Sequence, residues 1–515
     1  MQEYVFGANI IENLTTGMYQ DSKVIYREYI QNSCDQIDKA VAEGLLREGE
    51  GKIKIWLDIN QRTISIEDNA TGIPASDFER TLCNIADSDK QIGFDKGFRG
   101  IGRLCGLAYC RELVFTSTVM DEDTISIMRC DAEMMRQLID ENSHGRKRTA
   151  SEVLRAINKF ESKKTKDVNS HFFKVELIGI NKENEDLLNI KKVREYLSFI
   201  APVPYQNTFH YREKVEKHAK EIAYYIDEYS ITLDAEQVLK RYSTIIKKAD
   251  NSKIDEIFDV AFKDFFDDDG NLLAWMWVGL TQFKQAIPKN NQMRGLRLRK
   301  ENIQIGGEDA LQKLFKQDRG NSYFVGEVFA VAKDLIPNSQ RDYFNENPTR
   351  AYFEKVLKRF FDEELHKIYY DGSAINNAYQ KIDTYKAKEA EFVEKDQKGS
   401  FVSKEHRATE YGKVQVAKKQ AEDAQSKIVK TKEKADGIFA KVIERIEKEH
   451  PQEPVPTTPS TDLSKPARLV RRTDKLSAYN RNERKLISKI FDIIVSATDS
   501  KTAEMLISKI EDGLS

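Results

Sequence analysis

Cysteine is scarce in this chain: Cys34, Cys83, Cys105, Cys110 and Cys130 are the five in 515 residues, odd in number and without a Cys-x-x-Cys pair. That excludes a disulfide framework and a thiolate metal knuckle, and the thiols read as reduced and mostly buried. The seven histidines form no His-x-x-x-His pair and no Cys/His cluster, which argues against a metal ion held by the protein alone. No apolar run approaches the ~20 residues of a membrane span, and no signal-peptide pattern leads the chain, so a cytoplasmic location without membrane contact is expected. Neither sign of charge prevails. The 82 Lys and Arg against 84 Asp and Glu give a formal net charge of −2, which argues against a protein that coats nucleic acid over its whole surface and leaves local patches open. Proline is thin as well, and five of the 11 (Pro451, Pro454, Pro456, Pro459, Pro466) crowd into one stretch. That stretch, 451–466, reads as an extended linker.

With 40% hydrophobic residues over 515 positions, the chain can fill about three domain cores. In Glu28-Tyr-Ile-Gln-Asn32-Ser-Cys-Asp35 the polar residues Glu28, Asn32 and Asp35 stand at i, i+4 and i+7, one stripe of an α-helix. Ile30, Cys34, Ile37 and Val41 repeat nearly opposite, so the helix has an apolar face to bury without the polar one. A carboxylate and an amide so aligned suit a magnesium-nucleotide site; a solvated helix face is the alternative.

Downstream, Ile53, Ile55, Leu57 and Ile59 alternate with Lys54, Trp56 and Asp58, and after Asn60 and Gln61 come Ile64 and Ile66. This is a hairpin with one buried face. Its second strand runs into Asp68-Asn-Ala70-Thr-Gly72, a carboxylate at a strand end followed by a glycine where backbone turns or a ligand comes close. Next, Gly93, Gly97, Gly100 and Gly102 lead into an apolar, helix-compatible run at 104–109. Glycines ahead of a helix offer bare N–H groups to phosphate oxygens. The Gly-x-x-x-x-Gly-Lys-Ser/Thr loop is absent.

A Glu/Asn/Asp helix, a strand ending in Asp-x-x-x-Gly and a Gly-rich segment closing on a helix, in that order, resemble the GHKL ATPases (gyrase, heat-shock chaperone, histidine kinase, MutL) over roughly residues 5–180. Ala70 stands where that family usually has a glycine, and an alanine fits there only at negative φ. The resemblance implies an α+β chain: a GHKL (Bergerat-type) α/β-sandwich ATPase domain, an α/β middle (transducer) domain and a long-helical C-terminal region. It further implies ATP and Mg²⁺ as ligands. Glu28 would be the general base for the attacking water, Asn32 would reach Mg²⁺ with Asp35 in support, and Asp68 would accept from the adenine amino group, with Gly72 allowing close approach. Gly97, Phe98, Arg99, Gly100, Ile101 and Gly102 would wrap the phosphates. The polar segment carrying Lys90 would belong to a lid at about 81–100.

Past residue 200 the composition shifts. Met293-Arg294-Gly-Leu-Arg297-Leu-Arg299, the strand-like 323–331 and Leu335-Ile-Pro337-Asn338-Ser-Gln340-Arg341 look like the middle domain of the ninety-kilodalton heat-shock chaperone. In that family an arginine after the Leu-Pro loop reaches the γ-phosphate, and Arg341 is the residue to place there; a surface arginine paired with Asp342 or Asp334 is the alternative. Arg294, Arg297 and Arg299 would form either a phosphate sensor or a basic face.

The resulting expectation is an ATPase domain at 1–200, a middle domain at 201–372, long helices at 373–450, the linker, and a basic helical tail at 467–515. Val414, Ala417, Ala421, Ala424, Ile428, Thr431, Ala435, Ile438 and Val442 step by three and four, a thin coiled-coil seam that can close within one chain or between two. The tail carries Arg468, Arg471, Arg472, Lys475, Arg481, Arg484, Lys485 and Lys489 beside apolar Leu486, Ile490, Phe491 and Ile494. It suits docking on a partner protein, and nucleic acid is a further candidate. Family habit points to an ATP-hydrolysing, HSP90-like or MORC-like conformational clamp that dimerises, with antiviral defence in prokaryotes as one setting. An ATP-gated DNA-binding clamp and an ATP-binding scaffold with negligible hydrolysis are the rivals.

Overall fold

In a computed structural model of the chain, which describes residues 5–15, 17, 21–85, 102–398, 400–401, 404–450, 476 and 478–514, the alternating stretch after residue 51 forms an antiparallel hairpin. Lys90, Gly97, Phe98, Arg99, Gly100 and Ile101 lie outside the described residues, as do most of the expected lid, the proline-rich stretch 451–466, and Arg468, Arg471, Arg472 and Lys475. The chain is α+β and divides into two units, Met1–Thr281 with Gln285–His366, and Gln282–Lys284 with Lys367–Ser515.

The first unit opens with helices α1 (Asn9–Thr15) and α2 (Val24–Ala42), followed by the hairpin of β1 (Lys52–Asp58) and β2 (Thr63–Asp68) and by helix α3 (Ala75–Cys83). The apolar run expected as a helix is a seven-residue 3₁₀-helix, Gly102–Ala108. Then come β3 (Glu112–Thr118), β4 (Thr124–Asp131), α4 (Ala132–Ser143), α5 (Ala150–Ile157), β5 (Asn158–Lys164), β6 (Phe172–Ile178) and α6 (Ile190–Ile200). Strand residues two apart share a face, so Ile53, Ile55, Ile64, Ile66, Leu113, Phe115, Val175 and Leu177 line one side of the sheet. They form one buried cluster with Tyr26, Ile30, Cys34 and Ile37 of α2.

Beyond α7 (Arg212–Glu221), β7 (Ser230–Leu233) and β8 (Glu236–Gln237) do not start a new sheet. They complete the first one, whose order is β5-β4-β3-β6-β2-β1-β7-β8, with β7 parallel to β1. A short hairpin of β9 (Ile245–Lys247) and β10 (Lys253–Glu256) follows. Next is a second sheet made of β11 (Asp259–Phe266), β12 (Leu272–Leu280), β13 (Gly295–Lys300), β14 (Ile303–Ile305) and β15 (Val325–Ala330), in the order β11-β12-β15-β13-β14. Helix α8 (Pro348–Phe360) begins on an Asn347 cap, whose side chain accepts from the Arg350 N–H.

Arg294, Arg297 and Arg299 do not form the basic face considered above: Arg297 and Arg299 are buried on the interior strand β13, and Arg294, just before it, is paired as well. Arg294 pairs with Glu308 at 2.9 Å, Arg297 stacks 4.9 Å over the Phe199 ring, and fully buried Arg299 pairs with Glu327. Glu327 also receives the Lys240 ammonium at 3.3 Å and the Trp277 indole N–H at 3.3 Å, with the Tyr205 hydroxyl donating to it as well. Burial alone would raise the Glu327 carboxyl, but Arg299 and Lys240 outweigh it and hold the group down at about 2.

In the second unit, helices α9 (His366–Gln397), α10 (Lys404–Lys432) and α11 (Gly437–Glu449) pack within one chain. Arg407 pairs with Asp396 at 2.6 Å, Phe392 meets Phe401 at 5.1 Å, and Tyr379 stacks on His450 at 4.7 Å. Val414, Ala417, Ala421, Ala424 and Ile428 of the thin seam are buried there. The seam does not continue as one helix, since a turn separates α10 from α11. Two further helices, α12 (Arg481–Ala497) and α13 (Ser500–Leu514), form a hairpin with Phe491 and Ala503 buried. No helix of the described residues is long and apolar enough to cross a membrane.

Removing the buried carboxylate that faces Arg299 and Lys240 should be costly. Glu327→Ala is expected to lower stability in urea denaturation by about 3–5 kcal/mol; a loss under about 1 kcal/mol would show that Arg299 and Lys240 find other partners.

Candidate functional site

Two carboxylates are carried inward by the elements that hold them. Asp68 ends β2 in the same parity as Ile64 and Ile66, so the strand that buries those isoleucines also drives the carboxylate toward α2, where it is 2% exposed. There the Ser33 hydroxyl donates to Oδ2 at 2.7 Å, and the Ala70 N–H donates to Oδ1 at 3.1 Å. Burial pushes the Asp68 carboxyl up to about 7, while Ser33 and the backbone of Ala70 and Phe173 restrain the rise. The following turn is tight. Gly72 sits at φ +70°, and a Cβ there would lie 2.1 Å from the Thr118 carbonyl oxygen, so only glycine fits. Ala70, fully buried, is outside the left-handed region, as an alanine at that place requires.

Glu28 lies on α2 about 7.5 Å along the axis from Ser33, at ~1.5 Å per residue. It is 8% exposed. Its Oε1 accepts from Arg341 Nε at 3.1 Å, and Arg27 Nε stands 3.8 Å away. On its other side the backbone comes so close that a Cβ on Gly102 would meet Oε2 at 2.4 Å. Arg341 arrives from a loop of the second sheet's lobe: Asn338 N–H donates to the Tyr343 carbonyl at 2.9 Å, and Gly306 N–H donates to the Arg341 carbonyl at 2.9 Å. Arg341 itself has φ +54°, a left-handed backbone that costs a residue with a Cβ about 1–2 kcal/mol. Arg27 Nη2 donates to the Gln340 carbonyl at 3.1 Å, so two arginines tie α2 to this loop.

The structure thus brings Glu28, Arg341 and Gly102 together, and places Asp68 beside the next turn of the same helix, with Gly72 farther along the turn, against Thr118 and Phe172. Asn32 is half-buried between the two groups, and Asp35 is buried at the end of the stripe. Arg341 faces Glu28 rather than Asp342 or Asp334 alone.

Four residues escape a motif reading. Ser33 and Arg27 adjoin Asn32 and Glu28 in sequence, and a polar residue inside an otherwise buried helix is the signal that could have found them. Tyr29 accepts from the Gly106 N–H at 3.1 Å and donates to the Arg103 carbonyl at 3.0 Å, fastening the 3₁₀-helix to α2. His171 Nδ1 lies 2.8 Å from the Ala70 carbonyl, and nothing in the pattern announces it. Chemically, the arrangement offers a carboxylate able to take a proton from water, a guanidinium able to bind an anion beside it, and a buried acceptor able to read an N–H donor.

Comparison with known proteins assigns part of the chain to a family. Residues 20–165 match the family described as histidine kinase-, DNA gyrase B-, and HSP90-like ATPase. The chain is 35% identical to the chaperone protein HtpG of Coxiella burnetii (strain RSA 331 / Henzerling II) over 77 residues, 14% of this chain and 12% of that protein. It is 35% identical to HtpG of Geobacter metallireducens over 88 residues, 15% of this chain and 13% of that protein. For HtpG of Buchnera aphidicola the figures are 38% over 77 residues, 14% and 12%. The matched stretch therefore spans only about an eighth of the length of these chaperones.

The raised Asp68 carboxyl has a consequence for stability. Its folded value, about 7, lies above the ordinary 3.8, so between those values the folded state holds a proton that the unfolded chain has released. Stability carried by this group is therefore lost as pH rises across that window. Asp68→Asn cannot titrate, and hydrogen exchange at β2 should show a shallower decline from pH 4 to 7 than in the wild type. Identical slopes would place the burdened group elsewhere.

Proposed function

We propose, from the premise that residues 20–165 belong to the histidine kinase-, DNA gyrase B- and HSP90-like ATPases, that this chain is an ATP-hydrolysing, chaperone-like conformational clamp. The observation that carries the reading is the Glu28–Arg341 contact, which joins the matched region to a loop 313 residues away. A site that needs both residues works only when the two lobes are in register, which is what a nucleotide-driven clamp requires.

The residues fit the ligands. An ionised carboxylate has about four lone-pair sites, and the Ser33 hydroxyl and the Ala70 N–H occupy two at Asp68. The rest can accept from the amino group of adenine. Asn32, half-buried on the stripe of α2, is the residue to hold Mg²⁺ beside Asp35, since Mg²⁺ in such sites keeps few protein ligands and takes the rest from phosphates and water. When bound, the ion neutralises phosphate charge and orients the terminal phosphoryl group.

Glu28 then acts as the general base. It accepts the proton of the attacking water, and burial keeps bulk water from competing. Arg341 donates to Oε1. A γ-phosphate is the stronger claimant for a guanidinium, and transfer of Arg341 to it would both stabilise the charge of the transition state and release Oε1 to the water. Arg27, held to the Gln340 carbonyl, keeps the loop in place while this happens. Lid closure over 81–100, association of two protomers and a role in prokaryotic defence belong to the same proposal, on the strength of the family alone.

Glu28→Ala should retain ADP binding by calorimetry and lower phosphate release by about 10²-fold or more. Wild-type turnover in that variant would end the base assignment. Arg341→Ala should lower turnover by about 10²-fold with ADP affinity intact, because ADP has no γ-phosphate to contact. Equal loss of ADP and ATP binding would instead mark Arg341 as a structural brace.

A further inference from the structure

A turn that presents a carboxylate to a ligand must have its peptide planes held, and residues 68–73 are held from the neighbouring strands. The Ile73 N–H donates to Ser117 Oγ at 2.8 Å, and that hydroxyl donates onward to the Phe172 carbonyl at 2.9 Å. One residue before Phe172, His171 places Nδ1 2.8 Å from the Ala70 carbonyl. A carbonyl can only accept, so the proton is assigned to Nδ1 and the imidazole donates. Ala70 in turn donates its N–H to Asp68 Oδ1 at 3.1 Å. The residue that His171 grips by its carbonyl is therefore the residue that grips the Asp68 carboxylate by its N–H.

We propose that His171 is a positioning residue for nucleobase recognition: through Ala70 it fixes the Asp68 carboxylate in the orientation that accepts from an exocyclic amino group, and so sets the preference for adenine over a base with an oxo group at that place. This rests on the reading of Asp68 as the base-binding carboxylate.

Several features make the role specific rather than a general brace. His171 is half-buried, precedes β6, and belongs to none of the apolar positions that form the core. Ser117 and Gly72 already secure the far end of the turn, at Ile73 and Thr118. The near end, where the carboxylate is, has Ser33 on Oδ2, and on Oδ1 the Ala70 N–H that His171 orients. With the imidazole lost, the Ala70–Thr71 peptide group can rotate, and the N–H on the other side of the Ala70 Cα, the donor to Oδ1, loses its fixed direction. A positioned acceptor discriminates between an amino and an oxo partner far better than a mobile one, since the wrong partner then faces an acceptor with an acceptor.

Calorimetric titration of the full-length chain with ADP and with inosine diphosphate, which carries an oxo group in place of the amino group, tests the proposal. The wild type should favour ADP. His171→Leu should lose about tenfold in ADP affinity, an effect of one hydrogen bond, with little change for inosine diphosphate, so the preference narrows. His171→Asn, whose amide N–H can reach the same carbonyl, should restore it; in His171→Leu the KM for ATP should rise while kcat stays within about twofold. An unchanged preference in His171→Leu overturns the proposal, and so does an equal loss for both nucleotides that Asn does not rescue. A wild-type chain that binds neither nucleotide overturns the underlying reading of Asp68, and this proposal with it.

Discussion

The buried ion pair between Glu28 and Arg341 is the contact on which the rest of the first unit depends. Both side chains are 9% exposed and meet at 3.1 Å. Taking two charges out of water costs several kcal/mol per ion, and a buried pair often repays no more than that. Arg341 adds a left-handed backbone to the cost. Desolvation and strain thus fall on the same residue, which is where functional sites tend to hold them. A chain that needed only a stable contact between these lobes could have used apolar side chains.

Helix α2 is the frame that makes this contact part of a site. It is buried on nearly all sides, with Ile30, Cys34 and Ile37 toward the first sheet and Glu28, Ser33 and Asp35 kept from solvent as well. Because the helix is rigid, the spacing between the carboxylate at Glu28 and the hydroxyl at Ser33 is set, and Asp68 is held to the latter. The close approach of Gly102 to Glu28 and the double use of the Tyr29 hydroxyl fix a third element against the same helix. Each of these contacts is local and short, and together they tie α2, the turn after β2 and the 3₁₀-helix into one body.

Local patterns were legible in the sequence wherever one face of an element decides its fate. The period of Ile53, Ile55, Ile64 and Ile66 contains the hairpin, and the eight-residue span from Glu28 to Asp35 contains the stripe. Asp68 could be placed at a strand end for the same reason. Long-range features were not legible. That β7 pairs with β1, across more than 170 positions, follows from closure of a sheet edge and leaves no mark in either segment. Arg297 and Arg299 look like a charged strand until Glu308 and Glu327 are found opposite them. The seam from Val414 to Ile428 shows that a helix is covered and says nothing about whether its own chain covers it. His171 is a single polar residue at a strand start, and only the position of the Ala70 carbonyl gives it meaning.

The central claim is that Glu28 and Arg341, far apart in sequence, form one hydrolytic unit. The most direct measurement is a double-mutant cycle on phosphate release, comparing Glu28→Ala, Arg341→Ala and the pair. Residues that act as a unit are strongly non-additive, so the double variant should lose little more than the worse single one. A loss equal to the product of the two single losses would mean that they act independently, and would contradict the account.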